Sequence, residues 1–308
     1  MKTLITAYET PDLDGTASAF AYQELKAKLG EETIWGVFGQ PHLEVEFVFD
    51  YLGLPIERAE SVFDQIDNIL LVDSSDTRGI SSLIDIKKVI EIIDHRAINE
   101  AEKFVNAKAQ IEIVGACATL IAEKFIEQKI EPSKEAAIML YLAIASNTIN
   151  FKAKVTTERD LKMAEYLKKT AGIDESLIHQ MFAYKSKLSG SIKSILEDKI
   201  YHDQITGDKV SIFQLEITGV DEFVKNNFSE ISDAIQEIKD EQGFDWVLLT
   251  CIDLDKGENT FVVVDEKAEE LIEDILSVRF EKNVAHLDHI IMRKELIPLI
   301  KKYLEAKQ

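Results

Sequence analysis

The chain is poor in residues that would staple it together or break it up. Its 308 residues include only two cysteines, Cys117 and Cys251, both among apolar neighbours. They read as buried thiols rather than a disulfide or a metal pair, which suits a reducing cytosol. Five prolines and no low-complexity tract leave little room for long disordered segments. Nowhere do the roughly eighteen apolar residues of a membrane span run together, so none is expected. The first segment, Met1-Lys2-Thr3-Leu4-Ile5-Thr6-Ala7, has the length of a strand and lacks the longer apolar core of a signal peptide. A cytoplasmic location follows as the expectation. Positive charge is also scarce, with 35 Lys and Arg against 56 Asp and Glu for a net charge of -21. That balance argues against a nucleic acid held in a groove, which needs a basic footprint. It leaves room for a small anion, because a metal and a few local cations invert the field within one cleft.

The length implies two domains, since a single core usually stops growing below it. The first half alternates strands and helices. Strands are expected at Thr3–Ala7, Thr33–Phe38, Asn68–Val72 and Lys88–Ile93, and helices at Ala17–Leu29 and Leu43–Leu52. From Gly115 the period turns helical, predicting Ala116–Gln128, Ser133–Asn147, Glu158–Thr170 and Asp174–Tyr184. Lys185-Ser186-Lys187-Leu188-Ser189-Gly190-Ser191 is small and polar and reads as a linker. Beyond it, strands are expected at Val210–Leu215, Trp246–Ile252 and Thr260–Val264, with a turn at Gly207-Asp208. Helices are expected at Glu222–Lys239, Lys267–Val278 and Glu295–Leu304. The fold class is therefore α/β, a mostly parallel sheet flanked by helices, followed by a smaller α+β domain. The boundaries are 1–184, a linker over 185–192, and 193–308, with the active site expected in the interdomain cleft.

The chemistry concentrates where strands end. Pro11-Asp12-Leu13-Asp14 follows the first strand, Asp73 follows Ile69-Leu70-Leu71-Val72, and Asp94-His95 follows Val89–Ile93. Parallel strands deliver such side chains to one sheet edge. Three carboxylates and an imidazole there make a site for a hard divalent cation, and hence for phosphate chemistry. Taken singly, each has a plainer use. Asp14 could cap a helix starting near Thr16, and His95 could be a loop histidine. An isolated carboxylate at the end of a buried strand, however, is costly unless paired or metallated, and an Asp beside a metal-facing His fixes its tautomer.

Asp12-x-Asp14 with Ser18-Ala19, then Leu71-Val72-Asp73, then Asp94-His95 resembles the DHH phosphoesterase superfamily. Gly115-Ala116-Cys117-Ala118-Thr119, then Phe151-Lys152 with Thr156-Thr157, continue the match in order. Within it the chain is most similar to the manganese-dependent (family II) inorganic pyrophosphatases and related exopolyphosphatases. Asp198-Lys199, Asn283 and Met292-Arg293-Lys294 carry the likeness into the second domain.

The resemblance implies a two-metal site for Mn2+, with Co2+ or Mg2+ as alternatives. Asp12 would bind the first ion, Asp14 and His95 the second, and Asp73 would bridge them, with Asp94 orienting His95. Lys199, Arg293 and Lys294 would hold a small phosphorylated anion; by sequence pattern alone these three read as solvated surface charge. A metal-activated hydroxide would attack phosphorus in line. A homodimer formed through sheet edges of the first domain is implied as well.

Four positions depart from the family. Tyr8 replaces a His ligand, Asn147 an Asp ligand, Arg96 the second His of the name-giving motif, and Met292 a Ser. Tyr8 is a poor ligand, Asn147 offers only a neutral carbonyl, and both ion sites should weaken. Arg96 stays protonated and cannot act as a general acid, but it can grip a phosphate bidentately. Glu9 and Asp76 stand near the lost ligands as candidate replacements, which makes Asp73, Asp76 and Arg96 the candidate catalytic set. Two readings result: a phosphohydrolase cleaving pyrophosphate or short polyphosphate, or a weakened relative that binds a phosphorylated ligand without efficient turnover.

Overall fold

The computed structural model describes residues 2–205 and 207–307. Two compact units divide the chain, Met1–Lys185 and Ser186–Gln308. In the first, β1 (Thr3–Thr6), α1 (Leu13–Lys28), β2 (Thr33–Trp35), α2 (Leu43–Leu52), β3 (Asn68–Val72), β4 (Val89–Asp94) and β5 (Lys108–Ile111) form and flank the sheet. Helices α3 (Cys117–Glu127), α4 (Lys134–Asn147), α5 (Glu158–Ala171) and α6 (Ser176–Lys185) follow. Every strand pair is parallel, in the order β2-β1-β3-β4-β5. The order reverses between β1 and β3, and the crevice at such a switch point is where open α/β sheets place their ligands.

β1 is buried at all four positions and β3 at its last four, which explains their unbroken apolar runs. α4 is buried at every position from Ala136 to Ser146, the pattern of a helix enclosed on all sides. β5 has no counterpart in the sequence pattern, because its Lys-Ala-Gln-Ile lies half-exposed at the sheet edge and needs no apolar run.

The second unit contains α7 (Ile192–Asp198), β6 (His202–Ile205), β7 (Asp208–Ile217), α8 (Val220–Gln242), β8 (Trp246–Asp253), β9 (Glu258–Val263), α9 (Glu266–Leu276), β10 (Val284–Leu287) and α10 (Arg293–Ala306). Its sheet runs β10-β9-β8-β7-β6, with only the β7–β8 pair parallel. Alternation along β8 sends Trp246 and Leu248 to a core shared with α9 and α10. Val247, Leu249 and Cys251 face the core shared with α7 and α8. Ser191, expected inside the linker, instead caps α7 by accepting from Ser194 N–H. Both cysteines are free and buried. No helix among the described residues is long and apolar enough to cross a membrane.

Candidate metal centre

α1 begins four residues earlier than its apolar period predicts. Its cap is Asp12, whose Oδ1 accepts from Gly15 N–H at 2.9 Å, so the capping role anticipated for Asp14 falls to Asp12. This start puts Asp14 inside the first turn, where it is buried. Its Oδ2 accepts from Cys117 N–H and its Oδ1 from Ala118 N–H, both at 2.8 Å. Those amides open α3, whose cap residue Ala116 has no side chain to satisfy them. Asp14 thus caps a helix a hundred residues away, and the positive helix end steadies its charge. Asn147, at the end of α4, adds a bond from Nδ2 to Asp14 Oδ2 at 2.7 Å. The amide proposed as a carbonyl ligand acts here as a donor to one.

Asp73 follows β3 with φ at +52°, a left-handed conformation that Asp tolerates better than most residues. Its N–H donates to Ile93 C=O at 2.8 Å. Its Oδ1 is buried without a hydrogen-bond partner, 3.3 Å from His95 Nε2. His95 Nε2 is also 3.6 Å from Asp14 Oδ2. His95 Nδ1 lies 2.9 Å from Val114 C=O, to which it must donate, so Nε2, the nitrogen facing the carboxylates, is the one that would bind an ion once its proton is displaced. The ring is therefore oriented by Val114, correcting the role expected of Asp94. Asp94 instead accepts from the backbone N–H of His95 at 2.6 Å and from Ser75 Oγ.

Asp14, Asp73 and His95 each offer one ligand atom within 4.8 Å of the others. Two donors at about 2.1 Å from one ion, set roughly at right angles, lie about 3 Å apart, close to the spacings here. Two oxygens and one imidazole suit a Mn2+-type ion. Gly15 keeps the space open. A Cβ there would lie 2.7 Å from Ala7 Cβ and 3.6 Å from Asp12 Oδ1 and from Asp73 Oδ2.

The electrostatics match a cation site. Burial, then Asp73 and Glu44, push Asp12 up to about 7. Burial and Asp73 raise Asp14 well above the usual carboxylate range. Asp94 is raised by burial and by Asp73. Burial opposes a charge on His95, but Asp73 and Asp14 outweigh it and lift its pKa to about 10. Carboxylates that resist ionisation and an imidazole that holds its proton mark a cluster short of positive charge.

The remaining candidates take other places. Tyr8 OH donates to Asp76 Oδ2 at 2.9 Å, and Asp76 Oδ1 accepts from Arg78 N–H, so Asp76 serves Tyr8 and not the cluster. Arg96 stacks on Tyr8, with its guanidinium carbon 4.3 Å from the ring centroid, and its Nη1 donates to Tyr8 OH. Arg96 Nη2 is 3.7 Å from Asp73 Oδ1. Glu9 is exposed and does not stand in for a ligand. In the second unit, Arg293 Nη1 donates to the carbonyls of Lys199 and Ile212 at 3.0 and 3.1 Å, and the guanidinium lies over Tyr201. Burial pulls its pKa down. Lys199 and Lys294 are exposed, and Met292 stands just before α10, its N–H donating to Glu295 Oε2 at 2.9 Å.

Glu44 escapes the sequence pattern altogether. It is buried on α2, where Oε1 accepts from Leu13 N–H at 3.2 Å and Oε2 from Ser146 Oγ at 2.7 Å, beside Lys185 Nζ at 2.8 Å. It braces the turn that carries Asp12 and Asp14. The signal available was a lone Glu in the otherwise apolar face of α2.

A profile of the DHH family, N-terminal domain, matches residues 2–144. A protein named as a probable manganese-dependent inorganic pyrophosphatase from Clostridium acetobutylicum is 31% identical, over 98% of each chain. One of the same name from Bacillus cytotoxicus is 28% identical over 99% of each. Among solved structures, one described as a candidate family II inorganic pyrophosphatase from Methanococcus jannaschii matches with TM-score 0.67. It is 26% identical and covers 97% of this chain and 98% of that one. An exopolyphosphatase-related protein from Bacteroides fragilis shares the fold, with TM-score 0.52 and 14% identity over 99% and 92% of the two chains.

Proposed function

Because the chain belongs to the DHH family, we propose that it is a metal-dependent phosphohydrolase acting on small phosphorylated anions. Inorganic pyrophosphate or short polyphosphate is the substrate in this reading, and Mn2+ the ion, with Co2+ or Mg2+ as substitutes. The observation that carries it is the buried Asp73 Oδ1, without a hydrogen-bond partner, set against an imidazole whose Nδ1 is committed to Val114 and whose Nε2 faces the carboxylates. Family membership also brings a cytoplasmic homodimer as its accompanying expectation.

Asp14, Asp73 and His95 would hold the ion, which supplies a Lewis acid and acidifies coordinated water near neutral pH. The chain's own groups do the rest. The amides of Cys117 and Ala118 fix Asp14, and Val114 fixes His95, so the ligands need no reorganisation. Arg96 presents a permanent cation to the charge that builds on the transferring phosphoryl oxygens. It has no proton to lend, so the leaving phosphate departs stabilised by cations.

The contact of Arg96 with Asp73 also favours the second reading, a binder of phosphorylated ligands with slow turnover, since a cation already sits at the central carboxylate. Phosphate release from pyrophosphate, short polyphosphate and nucleotides with each metal separates the two. Activity lost by more than about 100-fold in Asp73→Asn supports the hydrolase, that being the upper range for losing even an outer partner of a metal ligand. No turnover above a metal-only blank, with anion binding retained, refutes it.

A further inference from the structure

Asp73 Oδ1 is approached by two nitrogens, His95 Nε2 at 3.3 Å and Arg96 Nη2 at 3.7 Å. They differ in kind. An imidazole can give a lone pair to a metal, whereas a guanidinium is donor-only and positive at all useful pH. Arg96 is also fixed. Its Nη1 donates to Tyr8 OH, its guanidinium carbon lies over the Tyr8 ring, and Tyr8 is tied in turn to Asp76, which is anchored on the Arg78 amide. Gly79 backs the phenol, leaving a Cβ only 3.0 Å from Tyr8 Cδ1. The Tyr8 hydroxyl is thus spent on Arg96 and Asp76 and gives no ligand of its own.

The donor inventory points the same way. Among the described residues, Asp14, Asp73 and His95 are the one set of three or more His, Cys, Asp or Glu ligand atoms gathered closely enough for an ion. Asp12 and Asp94 are the further carboxylates nearby, but Asp12 Oδ1 caps α1, Asp94 accepts from His95 N–H and Ser75 Oγ, and neither joins a second set. Asn147 turns its amide nitrogen, not its oxygen, toward Asp14. What stands where further ligands would be needed is a cation and a committed phenol.

Resting on the metal-dependent reading above, we propose that this site takes one divalent ion per chain, and that Arg96, clamped by Tyr8, serves as a built-in second cation at Asp73. One of the three positive charges at the phosphate site is then supplied by the fold and never dissociates. Metal removal empties one position and leaves the other charged. A fixed guanidinium also grips two phosphate oxygens in a plane, so the site keeps affinity for phosphate without metal.

The test is a metal count. Chelator-treated protein reloaded with Mn2+ and passed through gel filtration is expected to carry one ion per chain by elemental analysis, with the electron paramagnetic resonance spectrum of isolated Mn2+. Arg96→Gln removes a repelling charge and should tighten Mn2+ about tenfold in calorimetry, while weakening inorganic phosphate. Arg96→His combined with Tyr8→His exchanges the cation and phenol for two lone-pair donors and should raise the count to two. Two ions in the unaltered protein, or an exchange-coupled spectrum, overturn the proposal and leave the hydrolase reading standing. Weaker Mn2+ binding in Arg96→Gln also overturns it. One ion per chain without phosphate release supports it while overturning the hydrolase. No ion bound overturns both.

Discussion

Replacing Glu44 by Gln keeps the shape of the side chain and removes its charge, and its cost can be worked from the structure. Burial by itself would raise the carboxyl, but Lys185 Nζ at 2.8 Å, with Ser146 Oγ and the Leu13 amide, overrides burial and holds it at about 2 against an ordinary 4.5. A displacement of roughly 2.5 units at 1.36 kcal/mol each corresponds to about 3 kcal/mol of stability. The folded pKa is depressed, so that contribution is fully present above the unfolded value near 4.5 and is lost as pH falls toward 2. Urea unfolding of both proteins at pH 7, 5, 4 and 3 measures it. At pH 7 Glu44→Gln should be less stable by about 3 kcal/mol, and by pH 3 the gap should shrink to less than about half. Acid effects at groups that do not sense Glu44 act on both proteins and cancel; Asp12, which does sense it, is read separately by repeating the pair in an Asp12→Asn background. A gap that stays constant from pH 7 to pH 3 would refute the reasoning, since the loss would then be one of packing.

Gly15→Ala sets two effects of opposite sign against each other. Alanine is better in a helix by about 1 kcal/mol, yet its Cβ would lie 2.7 Å from Ala7 Cβ in a closed strand–helix contact. Overpacking costs about 1–3 kcal/mol, so the variant should be less stable by thermal melting and bind Mn2+ more weakly, and a raised Tm would count against the geometry. Asp160→Ala strips a buried carboxylate that accepts from Gly115 N–H, Thr157 N–H and both the Thr157 and Thr119 hydroxyls. It should cost about 4 kcal/mol in urea unfolding; a loss under 1 kcal/mol would mean those donors find other partners.

Much of the first unit is legible from its residues. β3 and α2 occupy the spans their apolar patterns mark, because both are bounded by polar residues and carry one period throughout. The start of α1 is not, since Leu13-Asp14-Gly15-Thr16 carries no helical apolar stripe and is held by a cap and a distant Glu44. β10 and β5 are short edge strands with exposed positions, and pairing rather than composition makes them strands. At the site, Asp14, Asp73 and His95 could be read because strand ends gather at a predictable edge. Their supports could not. Val114 contributes a carbonyl and Cys117 and Ala118 contribute amides, groups every residue possesses, so no side chain announces them. The contact of Tyr8 with Arg96 spans two strands and becomes visible only once the sheet order is known.

The left-handed backbone at Asp73 bears on how such a protein can drift. Of the amino acids reachable from an aspartate codon by one base change, Asn, Gly and His are those most at ease with positive φ. All three discard the carboxylate while sparing the turn, whereas Val, Ala, Tyr or Glu would strain it. The commonest folded descendants of this sequence at position 73 are therefore ones with the scaffold whole and the chemistry silenced. A loss of function here leaves no trace in expression or solubility, and only an assay of the site itself would detect it.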